Sequence, residues 1–115
     1  MGPMTRRMLM TSLADGESGP VLILAGEADL TSVAQLSAAL SAQMGDGIRK
    51  VTVDISGLRF ADAASVRSLM LAARMLTERG GQLLLLHPRA HVARVLELLG
   101  ADQVIEVRDI ETTRP

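Results

Sequence analysis

Val51-Thr-Val-Asp-Ile-Ser-Gly-Leu-Arg-Phe-Ala-Asp-Ala-Ala-Ser-Val66 decides the fold of this chain. Its first third is β-branched and apolar, as in a buried central strand. Its end opens an amphipathic helix, with Val66, Leu69, Met70, Ala73 and Leu76 on one stripe. A short Gly-containing loop is expected between the two, ending at Asp62. Asp62, Ala63, Ala64 and Ser65 then fall at an exposed helix N-terminus. Free N–H groups and the positive end of the helix dipole favour an anion such as phosphate there.

The flanking sequence extends the same alternation. Met8–Leu13 reads as a first strand and Val21–Ala25 as a second, separated by the turn formers of Ala14–Pro20. The connection is short, so an antiparallel hairpin is expected. A helix follows from about Ser32 to Met44, capped by Thr31 or Ser32 and stopped by Gly45-Asp-Gly47. Lys50–Ile55 is the third strand. The helix from Asp62 runs to about Arg79 and ends at Gly80-Gly81. Gln82–His87 is an interior strand, apolar on both faces. Pro88 starts a third helix that buries Val92, Val95, Leu96 and Leu99 and ends at Gly100. Gln103–Val107 is a last short strand, and Asp109–Pro115 reads as a frayed tail. The pattern implies one α/β domain over residues 8–109, with 110–115 as a C-terminal tail. Its sheet is mixed and mostly parallel, with an antiparallel edge strand and about three helices packed on it.

Composition narrows the function. The chain has 115 residues, enough for one domain with a sizeable core. That core must be aliphatic, because Phe60 is the only aromatic residue; it is expected inside. There is no Cys, which removes disulfides, thiolate metal sites and thiol nucleophiles. The net charge is −1 and no basic stripe marks a nucleic-acid binder. No apolar run approaches the ~20 residues of a membrane span. Arg6-Arg7 is followed by a stretch too short and broken for a signal segment. A cytoplasmic protein is expected. His87 and His91 lie on a strand end and a helix start without companion ligands, so no metal site or cofactor is expected. No Ser–His–Asp set is fixed in space, so no catalytic residue is assigned.

Gly26-Glu27-Ala28-Asp29-Leu30 after a strand resembles the Gly-Glu-x-Asp segment of STAS domains. Val53-Asp54-Ile55-Ser56-Gly57-Leu58-x-Phe60-x-Asp62 resembles their second signature. The spacing and the later Gly-Gly, Leu-Gly and Val-Ile-x-Val steps agree, from Met8 to Asp109. The best-known members of this family are anti-sigma factor antagonists; others are sensory or scaffold modules.

The resemblance implies a non-enzymatic protein that binds an anti-sigma factor of the GHKL serine-kinase type and so regulates transcription. In the antagonists the Asp is followed by Ser-Ser or Ser-Thr, then Gly-Leu, and the second hydroxyl residue is phosphorylated. By position, Ala63 matches the first Ser, Ala64 the phosphoacceptor, Ser65 the Gly and Val66 the Leu. The switch is therefore either absent or moved to Ser65. Asp29, Thr31, Ser56, Asp62, Ala63, Ala64, Ser65 and Arg67 form the expected partner surface, with Arg59 beside it. Asp29, Asp54 and Asp62 are equally readable as plain caps of turns and helices. The alternative role is a non-phosphorylated sensory or scaffold module that binds a small ligand or a partner protein. A weaker option is a nucleotide site at Asp29 and Asp62. The N-terminal methionines Met4, Met8 and Met10, and a final helix that related domains carry and this tail is too short to form, leave room for a homodimer.

Overall fold

In the central strand, alternate residues point to one side and vanish from solvent: Val51, Val53 and Ile55 are all buried. This strand is the middle one of a five-stranded sheet whose strands lie side by side in chain order. The computed structural model describes residues 8–112. Met4, Arg6 and Arg7, and residues 113–115 of the expected tail, lie outside the described residues.

The strands are β1 (Met10–Gly16), β2 (Gly19–Ala28), β3 (Lys50–Ala61), β4 (Gln82–Leu86) and β5 (Glu106–Arg108). The helices are α1 (Val33–Ala42), α2 (Ala63–Glu78) and α3 (Ala90–Leu98), with single 3-10 turns at Leu30–Ser32 and Ala101–Gln103. β1 is antiparallel to β2, and every other pairing is parallel. Each parallel connection moves one strand over in the same direction. Right-handed crossovers then place α1, α2 and α3 on one face of the sheet. That face carries Leu22, Leu24, Val53, Ile55, Leu83 and Leu85, which pack with Leu36, Leu40, Val66, Leu69, Leu76, Val92 and Leu96 in one aliphatic core. Each such side chain contributes roughly 2 kcal/mol of burial, which is how a core without aromatics suffices.

Four expectations are corrected. The first is the loop before Asp62, because β3 continues through it to Ala61. Two register shifts against β2 make this possible: Ile23 pairs with Asp54 but Ala25 with Gly57, and Gly26 pairs with Leu58 but Glu27 with Phe60. Each shift is a bulge that absorbs one surplus residue in β3. The inward residues become Ile55, Leu58 and Ala61, three apart instead of two. The second correction follows from the first: Phe60 is turned outward and is 46% exposed, not core.

The third concerns the tail. Glu111 does not fray. Its N–H donates to the Pro88 carbonyl (2.8 Å), and its carboxylate accepts from the Ala90 N–H (3.0 Å). It thereby supplies the cap that Arg89, at the N-cap of α3, does not. The fourth is the last strand, which begins later than expected, because Ala101–Gln103 forms a turn first.

Candidate functional site

The C-terminal ends of β2 and β3 arrive side by side, with Ala28 opposite Ala61. The Asp62 N–H donates to the Ala28 carbonyl at 3.0 Å, which ties the two exits together. Each strand then passes straight into a capped turn. At the end of β2, Asp29 accepts from the Thr31 N–H (2.9 Å) and from the Thr31 hydroxyl. Ser32 Oγ completes a capping box by accepting from the Asp29 N–H at 3.0 Å. At the end of β3, Asp62 Oδ1 accepts from the Ser65 N–H at 2.9 Å and caps α2. Asp29, Thr31 and Asp62 are thus brought together, and both carboxylates hold turns in place. Each cap is worth about 1 kcal/mol.

The bulged part of β3 is held from the side. The Ser56 N–H donates to Asp54 Oδ1 (2.8 Å), the Asx turn expected of Asp54. Arg89 Nε donates to the Ser56 carbonyl (3.0 Å), and His91 Nε2–H donates to the Arg59 carbonyl. The start of α3 therefore grips the segment that leads to Asp62. The two histidines do not share a site: His87 lies 4.0 Å from the Asp109 carboxylate, while His91 is committed to Arg59. Among the described residues no group of three or more His, Cys, Asp or Glu is placed to hold a metal ion.

Along α2 the expected residues separate. Ala63 and Ala64 are half-buried and Arg67 is exposed, but Ser65 is fully buried. This corrects the reading of Ser65 as part of an exposed helix start. Ser65 lies four residues before Leu69 and seven before Ala72, on the side of the helix that meets the sheet. Its hydroxyl has no hydrogen-bond partner. An unpaired buried hydroxyl costs about 1 kcal/mol or more. Ser65→Ala is therefore expected to raise unfolding free energy by about 1 kcal/mol, read from urea midpoints, and to leave partner binding unchanged.

Four exposed apolar residues lie at these turns or along α2 and were not singled out as site residues by sequence reasoning. Leu30 (72% exposed) follows Asp29, and Phe60 precedes Asp62 by two. Leu71 (60%) and Met75 (43%) continue along the outer side of α2 at helical spacing from Ala64. The signal for the last pair was present: both fall outside the apolar stripe, on the polar side of the helix. Exposed Leu71 and Met75 on the outer side of α2, beside Arg67 and the capped start at Asp62, have the make-up of a protein-docking surface.

A family model described as "Mlab, STAS domain" matches residues 11–107, and the chain belongs to the STAS family. Within it, the chain is 32% identical over 80 residues to BtrV of Bordetella bronchiseptica, provisionally named an anti-sigma factor antagonist. That match covers 70% of this chain and 69% of BtrV. The fold is that of an anti-sigma factor antagonist from Mycobacterium paratuberculosis (TM-score 0.76, 20% identity, 87% of this chain and 85% of the other). It is also that of the phosphorylated Bacillus cell fate determinant SpoIIAA (TM-score 0.64, 23% identity, 86% and 91% covered). No helix among the described residues is long and apolar enough to cross a membrane.

Proposed function

We propose that this chain is an anti-sigma factor antagonist without catalytic activity of its own. It docks on an anti-sigma factor of the GHKL serine-kinase type and so releases a sigma factor. The surface is the one around Asp29, Thr31, Ser56, Asp62, Ala63, Ala64 and Arg67, continued by Leu30, Phe60, Leu71 and Met75. The observation that carries this reading is the pair of exposed apolar side chains, Leu71 and Met75, on the outer side of the helix that Asp62 caps, with exposed Leu30 at the neighbouring capped turn. The antagonist relatives support the class of partner.

The consequence of Ala64 follows from its chemistry. A methyl side chain has no oxygen to accept a phosphoryl group, and the neighbouring Ser65 hydroxyl is interior. The complex is therefore constitutive. With the cognate anti-sigma kinase and ATP, the native chain is expected to keep its mass and remain bound. Ala64→Ser is expected to gain one phosphate and dissociate. Absence of any complex, or a phosphate on the native chain, overturns the proposal.

The sensory or scaffold role draws on a different place. An open groove of about 640 Å³ lies where β2 and β3 begin, at the opposite end of β3 from Asp62. Val21, Ile48, Leu84 and Leu86 line it together with Lys50 and Arg108. A small molecule retained through purification and seen by native mass spectrometry would select that role.

A further inference from the structure

β1 is a sheet edge with an open side. Among the described residues it pairs with β2 alone, and all seven of its residues are exposed. In an antiparallel ladder, alternate residues turn their N–H and C=O away from the partner strand. The hairpin turns through Glu17 and Ser18, with Gly16 opposite Gly19. A two-residue turn closes with a bond from the fourth residue's N–H to the first residue's C=O. Gly16, Ala14, Ser12 and Met10 therefore bond to β2, while Thr11, Leu13 and Asp15 direct their backbone groups outward.

Natural sheet edges are blunted by charge, proline or a bulge. From Met10 to Ala14 this edge has none of them, and its ladder with β2 has no register shift. Met10 and Leu13 are 64% and 58% exposed. Leu13 stands opposite Leu22 on the helix-bearing face, yet Leu22 is 3% exposed. The helix layer ends over β2 and leaves Leu13 uncovered.

We propose that β1 pairs antiparallel with β1 of a second copy of this chain, about a two-fold axis at Leu13. In that register the outward-directed residues meet one another. Leu13 faces its own counterpart, so each covers the side chain that its own helices do not reach. Thr11 faces Asp15, a hydroxyl donor against a carboxylate, and no like charges are opposed. The pairing makes about six new main-chain hydrogen bonds. The match of uncovered Leu13 with its own counterpart, and of Thr11 with Asp15, is what favours a second copy as the occupant, since a two-fold interface must match itself. The net charge of −1 adds little repulsion between copies. A single strand pair buries less than the ~1,200 Å² of a stable interface, so the dimer is weak and concentration-dependent. It uses neither Asp29 nor Asp62, so it stands or falls independently of the partner surface.

Sedimentation velocity from low micromolar to near-millimolar concentration tests this. The native chain is expected to shift from monomer to dimer. Leu13→Pro deletes an N–H that points away from β2, so the monomer fold is kept and the dimer is lost. Leu13→Lys, which sets two charges against each other at the axis, gives the same loss without a backbone change. Leu13→Cys is a positive test in a chain with no other cysteine. Directly opposed residues about 5.5 Å apart at Cα are within reach of a disulfide, so mild oxidation is expected to yield a covalent dimer. Ser12→Cys, which faces Ala14, is expected to yield no covalent dimer. A native chain that is monomeric throughout, a dimer that survives both Leu13→Pro and Leu13→Lys, or a β1 edge protected from deuterium exchange only when another protein is added overturns the proposal.

Discussion

Leu71→Asp is expected to weaken binding to the anti-sigma factor by at least about 30-fold, close to 2 kcal/mol, while leaving the fold intact. The two halves of this expectation come from one fact: Leu71 is 60% exposed on the outside of α2. A surface position in the middle of a helix tolerates aspartate at a cost of about 0.5 kcal/mol in propensity. In the proposed complex the same position lies on the docked side of α2, where a carboxylate would be stripped of water with no partner. Calorimetric titration of the purified anti-sigma factor, alongside a thermal melt of the variant alone, separates the two effects. Arg94→Asp, on the exposed side of α3, serves as the comparison and is expected to bind like the native chain. Equal affinity for Leu71→Asp and the native chain would place the interface elsewhere.

Gly26→Ala is expected to cost about 3 kcal/mol and to lower the melting temperature by about 10 °C. Two independent terms add. Gly26 has φ +90°, a backbone state in which an L side chain is strained by roughly 1–2 kcal/mol. A Cβ built there would also lie 2.1 Å from the Met8 carbonyl oxygen. That oxygen cannot retreat freely, because the next residue, Leu9, is buried and its carbonyl accepts from Gln35 Nε2 at 3.0 Å. Gly47 isolates the first term. It has φ +82° and nothing within 4 Å of a built Cβ, so Gly47→Ala is expected to cost only about 1 kcal/mol. Equal losses from the two substitutions, by differential scanning calorimetry, would rule out the close approach to Met8 as a cause.

Much of this structure was legible in the amino-acid string, and the exceptions have physical reasons. The hairpin, the parallel strands and the three helices follow from period-2 and period-3.6 patterns with glycines at their ends. The caps at Asp29 and Asp62 follow from residue type and position. Phe60 misled because size and hydrophobicity argue for the core, whereas two bulges change the inward repeat of β3 and rotate it out. Bulges are set by pairing with β2, which no local pattern encodes. Ser65 was legible in principle, since the helical repeat that buries Leu69 and Ala72 reaches back to it. Treating the whole helix start as exposed hid that. The cap by Glu111 joins residues 21 positions apart and leaves no local signature.

α3 holds the bulged stretch of β3 by its carbonyl oxygens, at Ser56 and Arg59, and not by any side group there. Ile55, Leu58 and Ala61 anchor the same stretch from within. Positions 56, 59 and 60 are consequently free to drift in identity without loosening their own support. A lineage of such proteins can retune whom it recognises one outward residue at a time, on a frame that never registers the change.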